Sequence, residues 1–196
     1  MYLGRWARSL ANSLLVMLMA SMPVSTCVAQ GHDDHHGRPA APDHRMTAEA
    51  NALVRGVREA TLPFKDVTSF AGPGGGYGLA FGCVSGGEYG AMGLHYVNMD
   101  LVQDGEVNMK DPEIVLYEPT GNGSIRITGA DYLVYAADWE KRHDGPPMLM
   151  GQLFHYFESP NRLGLPAFYT LHVWAWKDNP NGTFVNWNPN VSCDGF

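Results

Sequence analysis

The chain has little positive charge and no basic cluster. Its 196 residues include 13 Lys and Arg against 20 Asp and Glu, which gives a formal net charge of −7. Proteins that bind nucleic acid or anionic membrane surfaces usually carry a basic patch. The composition therefore argues against both of these partners.

Long apolar runs are also lacking beyond the N-terminus. Arg5 and Arg8 precede a mostly apolar stretch that ends in small residues at Ala29, the pattern of a cleavable signal. This stretch is shorter than the about 20 apolar residues that a transmembrane helix needs. We predict a signal peptide at 1–29, export to the bacterial periplasm or the extracellular space, and no membrane association after cleavage. An uncleaved anchor and a lipoprotein at Cys27 are the alternatives.

Cysteine is scarce as well. Of the three cysteines, one lies in the predicted signal peptide, which leaves Cys83 and Cys193. An oxidising compartment favours a disulfide between them. The bridge would close a loop of about 110 residues, which on loop entropy alone stabilises the fold by roughly 4–5 kcal/mol. Two separate buried thiols are the alternative.

Several catalytic and nucleotide-binding motifs are absent. The sequence has no Gly-x-Ser-x-Gly, His-Glu-x-x-His or Cys-x-x-Cys pattern. The glycine-rich segment 72–78 lacks the Gly-Lys-Ser/Thr ending of a phosphate-binding loop, so we predict no nucleotide cofactor. A glycosidase-type carboxylate pair stays open, because the chain offers acidic residues but no spacing that pairs them.

Hydrophobic periodicity predicts one helix followed by short strands. Thr47 is a candidate N-cap, apolar residues recur at helical spacing after it, and Pro63 ends a helix at about 48–61. A hairpin turn is expected at 121–123. The predicted fold class is mainly β (α+β), with an antiparallel curled sheet or barrel-like core and one N-terminal amphipathic helix. The strand candidates span 79–84, 92–98, 113–118, 124–135, 148–157 and 168–176.

A polar segment rich in His and Asp precedes the helix. We predict that 30–46 is a disordered leader to a single globular domain at 47–196. Signal cleavage would leave a chain that starts with Gln30. Its free α-amine, two backbone amides and the imidazole of His32 can bind Cu(II) or Ni(II) in a square plane. His35 and His36 add imidazoles nearby. A linker that binds nothing is the alternative, and cyclisation of the N-terminal glutamine would remove the amine.

Three histidines lie within apolar strand patterns, where packing alone does not require them. They are His95, His155 and His172, and Glu118 ends another predicted strand. If these residues converge, imidazoles and one carboxylate suit Zn, Cu or Fe and can leave a coordination position open. Hydrogen-bonded core histidines without a metal are the alternative.

Aromatic and amide residues are dense near the C-terminus. Trp174, Trp176 and Trp187 stand among several asparagines. Flat rings beside amides suit a carbohydrate or another small ligand. In the alternative interpretation the tryptophans are core residues and the Asn-, Pro- and Gly-rich segments are turns.

Three segments carry a family resemblance: Gly90-Ala-Met-Gly-Leu-His-Tyr-Val-Asn98, Leu171-His-Val-Trp-Ala-Trp176 and Trp187-Asn-Pro-Asn-Val-Ser-Cys193. Together they resemble a group of exported bacterial proteins labelled only as hypothetical. This resemblance covers most of the mature chain and implies export but no activity. The segment 125–134 also resembles the plant oil-body-associated protein family, although Ala130 and Asp131 depart from that family's Val-Glu. Neither resemblance assigns a role to a residue.

The leading hypothesis is an exported metal-binding protein, with copper first and zinc or nickel as alternative metals. Its structured site would support oxidative or hydrolytic chemistry. The first alternative is a β domain that binds a carbohydrate or small ligand through its C-terminal tryptophans. The second is a structural or interaction protein without a small-molecule site. The sequence leaves enzymatic activity and oligomeric state open.

Overall fold

The structure, a computed structural model, describes residues 46–67 and 76–196. The predicted signal peptide and the leader histidines His32, His35 and His36 lie outside the described residues. The square-planar site at the leader therefore stays a prediction.

Eight strands and three α-helices follow one another along the described chain, with short 3-10 helices at Leu62–Lys65 and Gly87–Tyr89. The helices are α1 (Ala48–Thr61), α2 (Met99–Asp104) and α3 (Ala136–Trp139), and none of the described helices has the length and apolar composition needed to cross a bilayer. The strands are β1 (Gly78–Ser85), β2 (Ala91–Val97), β3 (Ile114–Gly121), β4 (Ser124–Tyr135), β5 (Met148–Leu149), β6 (Gln152–Leu153), β7 (His155–Phe157) and β8 (Phe168–Val173).

The N-terminal helix forms where its cap and its apolar stripe predict it. The hydroxyl of Thr47 accepts a hydrogen bond from the backbone N–H of Ala50 at 3.1 Å, which satisfies one of the free donors of the first turn. Leu53 and Val57 are fully buried and pack against the sheet. The predicted amphipathic helix is confirmed.

Six of the strands form one antiparallel sheet in the order β1-β2-β3-β4-β8-β7, while β5 and β6 pair separately. The sheet curls into a half-barrel, and register shifts within β1–β2 and β3–β4 add local twist. The predicted fold class, mainly β with a curled antiparallel sheet and one N-terminal helix, is confirmed. The strand predicted over 148–157 is instead split, because Met150 and Gly151 turn the chain with φ of 47° and 78°.

The two faces of the sheet bury different side chains. Directly opposed residues on neighbouring strands point to the same face, so the strand register assigns each residue to a face. The helix face packs under α1 and includes Ala130, Tyr132, Leu171 and Val173. The opposite face, called the cavity face here, carries Val97, Ile114, Leu116, Leu133 and Phe168, and the chain segment after β7 packs against it.

The C-terminal tail is tied to the sheet at two points. Cys83 and Cys193 form a disulfide with Cα atoms 5.7 Å apart, so the predicted bridge is confirmed. Ala91 and Asn188 exchange two backbone hydrogen bonds of 3.2 Å. These ties place the tail beside the cavity face.

Candidate metal centre

The curl of the sheet brings side chains from three strands together. Asp131 on β4 and His172 on β8 are directly opposed in the antiparallel ladder. His95 lies on β2, and β3 and β4 separate β2 from β8. In a flat sheet the backbones of β2 and β8 would stand about 14 Å apart. The two imidazole centroids are 5.8 Å apart, so curvature and inward-leaning side chains create the cluster.

The three side chains are spaced as ligands of one ion. One potential ligand atom from each of His95, Asp131 and His172 lies within 4.8 Å of the others, and all three residues are buried. Nδ1 of His172 is 3.3 Å from Oδ2 of Asp131. Two ligands of a tetrahedral ion with bonds of about 2.1 Å lie about 3.4 Å apart, so this pair already has the required spacing.

The ring of His95 is oriented by the backbone of its own strand. Its Nδ1 lies 3.1 Å from the carbonyl oxygen of Gly93. A carbonyl only accepts, so Nδ1 carries the proton and Nε2 keeps its lone pair. Burial and the nearby His172 lower the pKa of His95 to about 4, although Asp131 and the Gly93 carbonyl act in the opposite direction. The imidazole is therefore neutral at pH 7, the form that binds a metal.

The carboxylate of Asp131 is oriented by a hydroxyl on the neighbouring strand. Thr170 donates a hydrogen bond to Oδ1, which leaves Oδ2 facing His172. Burial alone would raise the pKa of Asp131, but the adjacent imidazole and the Thr170 hydroxyl outweigh it, so the pKa is lowered. The cluster therefore holds an ionised carboxylate away from solvent.

The polar atoms of His172 are left without hydrogen bonds. Within the described part of the chain, neither ring nitrogen has a hydrogen-bond partner, although both are buried. The 3.3 Å separation from Asp131 is close enough for a charge contact, but its direction is not that of a hydrogen bond. A buried unsatisfied polar atom costs about 1–3 kcal/mol, so this site favours an additional partner.

A cavity of about 90 Å³ opens in front of the cluster. Its wall is almost entirely apolar, and the side chains come from the cavity face, the segment after β7 and the tail. Arg162 spans the rim: its guanidinium donates to the backbone oxygen of Ser85 at 3.0 Å and lies 5.5 Å from the centre of the Trp187 ring. The cluster therefore faces an apolar chamber rather than bulk water.

Two predicted ligands do not join this cluster. His155 is exposed on β7 at the edge of the sheet, opposite Thr170 on the main-chain ladder. Glu118 is buried, but both of its carboxylate oxygens are engaged, one by Arg126 Nε at 2.8 Å and the other by Lys177 Nζ at 2.6 Å. The structure brings Asp131 to the two histidines in their place.

The three candidate tryptophans have different surroundings and do not form one stacking platform. Trp174 is buried and its Nε1 donates to a backbone carbonyl at 2.6 Å. Trp176 is half-buried, donates to Thr61 at 2.9 Å and has the ammonium of Lys65 4.1 Å from its ring centre, beside an open groove. Trp187 is half-buried and lines the cavity of the cluster.

Sequence reasoning missed Asp131 and Thr170 as members of the site. Asp131 interrupts the buried, uncharged segment 127–134 of β4, the same signal that singled out the histidines. The role of Thr170 depends on which strands are neighbours, and no local pattern reveals that.

Comparisons with known proteins give no relative. No protein-family model matches this chain, and neither the curated proteins nor the solved structures give a match. Since a fold alone does not fix a function, the function is inferred from the site.

Proposed function

We propose that this chain binds one divalent transition-metal ion, Cu(II) or Zn(II), through His95, Asp131 and His172. The observation that carries the proposal is the His172 ring, which is buried and, among the described residues, has no hydrogen-bond partner on either nitrogen. A cation between the three side chains would supply a partner for one of these two nitrogens and compensate the buried carboxylate charge. Two imidazoles and one carboxylate suit both ions.

The proposed site is of the open, catalytic kind. Three protein ligands leave at least one coordination position for water or a substrate, whereas structural zinc sites are closed by four protein ligands. The cavity lies next to the three side chains and gives that position an apolar surrounding. A metal here would support hydrolytic or oxidative chemistry on a molecule small enough to enter.

The test is the metal retained by the full chain after loading with Zn(II) or Cu(II) and gel filtration. Replacing His32, His35, His36 and His44 by alanine removes the leader imidazoles, and we expect this chain to retain one ion. In that background, Asp131→Asn and His172→Gln should each weaken metal affinity at least about 100-fold. Each substitution removes a side chain that binds the ion directly, rather than one that only orients a ligand. His155→Ala is the matched control and should change nothing, because this histidine is exposed.

Circular dichroism and thermal unfolding of the same samples show whether each variant is folded. A folded leader-substituted chain that retains neither ion would contradict the proposal. If neither Asp131→Asn nor His172→Gln changes the amount of retained metal, the ion binds elsewhere in the chain.

A metal-free His–Asp pair is the second candidate. The 3.3 Å separation between Nδ1 of His172 and Oδ2 of Asp131 favours it, because a rotation of the ring that aligns this pair would let the carboxylate orient the imidazole for proton transfer. It predicts that the leader-substituted chain retains no metal and that any activity persists in a chelator. The metal count therefore separates the two candidates.

We also propose that the chain is exported, as its first 29 residues predict. The Cys83–Cys193 disulfide supports this, because disulfides persist mainly in oxidising compartments. N-terminal sequencing of the mature chain should begin at Gln30, and an unprocessed N-terminus would contradict the predicted cleavage.

A further inference from the structure

The cavity beside the proposed metal centre selects its ligand by size and polarity. We propose that it binds a short-chain alcohol: one hydroxyl head group and an apolar body of about three to five carbons. The head group meets the His95, Asp131 and His172 cluster, and the apolar body fills the cavity. This inference rests on the proposed function, since the metal would hold the head group.

The cavity wall favours an apolar body. Apart from the cluster, most of its lining consists of aliphatic and aromatic side chains, so transfer of a hydrocarbon chain from water is favourable there. A charged body would be buried without compensation. Aliphatic members of the lining include Val84, Met92, Ile114, Leu133, Leu163 and Leu165.

Most polar groups that line the cavity already form hydrogen bonds within the protein. Asn161 donates to and accepts from the backbone of 158–165, with hydrogen bonds of 2.9–3.2 Å. Arg162 donates to Ser85, and the hydroxyl of Thr170 donates to the carboxylate of the cluster. Away from Arg162 at the rim, a second polar atom on the ligand would therefore lose its hydrogen bonds to water without replacement.

One remaining polar atom favours a hydroxyl as the head group. Asn186 lines the cavity, and within the described residues its buried Oδ1 has no hydrogen-bond partner. A free acceptor in the same cavity as the proposed metal suits a group that coordinates through oxygen and also donates a hydrogen, which a hydroxyl does and an ether does not.

The volume limits the length of the body. A cavity of about 150 Å³ accommodates benzene, and the space here is about 90 Å³. Each methylene that enters should raise affinity about fourfold. In a series from ethanol to 1-hexanol, we expect this increase to stop at about three to five carbons, where the cavity is filled.

The test is calorimetric titration of the full chain, both Zn(II)-loaded and metal-free, with primary alcohols. The matched ligand is 2-methoxyethanol, which has the heavy-atom count of 1-butanol but an ether oxygen in its body. It should bind at least tenfold more weakly, because that oxygen finds no donor. In the protein, Leu163→Phe should fill the cavity and weaken 1-butanol binding at least tenfold without changing zinc content. Leu153→Phe, at an exposed position on β6, is the control and should change neither.

The outcomes separate this inference from the proposed function. Retained zinc with no saturable alcohol binding, or with affinity independent of chain length, would overturn the inference and leave the metal centre standing. Length-dependent alcohol binding that Leu163→Phe abolishes would support the inference. The same binding in a chain that retains no metal would support the alcohol site and overturn the metal centre.

Discussion

Three buried carboxylates among residues 46–67 and 76–196 are stabilised in three different ways. Glu118 contacts two cations, and Asp131 contacts an imidazole and a hydroxyl. Glu113 accepts a hydrogen bond from the backbone N–H of Leu133 at 3.0 Å. Burial, together with nearby acidic charges, raises the pKa of Glu113 to about 8, although backbone hydrogen bonds act in the opposite direction. Glu113 is therefore mostly protonated in the folded protein at neutral pH.

Glu113→Gln should remove a pH dependence of stability. The pKa of Glu113 is about 8 when folded and 4.5 in the reference state, so its stabilising contribution is complete below pH 4.5. That contribution is lost as pH rises through about 8. Between pH 5 and pH 9 the wild type should lose roughly 4 kcal/mol more than the variant, as measured by denaturant unfolding at both values. Equal losses in the two proteins, or a Glu88→Gln control that behaves like Glu113→Gln, would contradict this assignment.

At the residue scale, the sequence predicted part of the site. A polar side chain inside an apolar strand identified His95 and His172, and the same criterion applied to carboxylates would have added Asp131. His155 satisfied the local pattern but lies on a three-residue edge strand, where its side chain is exposed. Burial depends on where a strand lies within the sheet, and a local pattern does not contain that information.

At the element scale, helices and strands were predictable but strand order was not. The N-terminal helix has a cap and an apolar stripe within its own segment, and β3–β4 has a turn at Asn122 and Gly123 with φ of 53° and 74°. Pairing of β4 with β8 joins residues far apart in sequence. That pairing creates the Asp131–His172 contact, so the site could not be derived from the individual elements.

Gly93 illustrates how an element shapes the site. Its φ is +89°, and an added Cβ would lie 2.2 Å from the backbone oxygen of Tyr117. Gly93→Ala should therefore combine left-handed strain with a backbone clash, destabilise the fold by roughly 3–5 kcal/mol and weaken metal binding, because the Gly93 carbonyl orients His95. Thermal and denaturant unfolding with metal titration measure both effects.

Gly123→Ala is the matched control for that substitution. Gly123 also has a positive φ, +74°, but an added Cβ would meet nothing within 4 Å. We expect a cost of about 1–2 kcal/mol from strain alone and unchanged metal affinity. If the two substitutions were equally costly, the close approach at Gly93 would have no energetic role.

At the scale of the whole molecule, the C-terminal tail supplies part of the wall of the cavity beside the curled sheet. The Cys83–Cys193 disulfide and the Ala91–Asn188 bridge hold the tail beside the cavity face, where Asn186 and Trp187 line the cavity. Cysteine count and predicted export were sufficient to predict the disulfide. The consequence for the cavity required the folded path of the tail.

We expect the folded domain, rather than the leader, to provide a metal site from two imidazoles and one carboxylate. X-ray absorption spectroscopy can separate the two locations, with the zinc-loaded full chain in which His32, His35, His36 and His44 are replaced by alanine. We expect two imidazole nitrogens and carboxylate oxygen at about 2.0–2.2 Å, and loss of one imidazole in His172→Gln. A coordination shell without imidazole, or one that His172→Gln leaves unchanged, would contradict it.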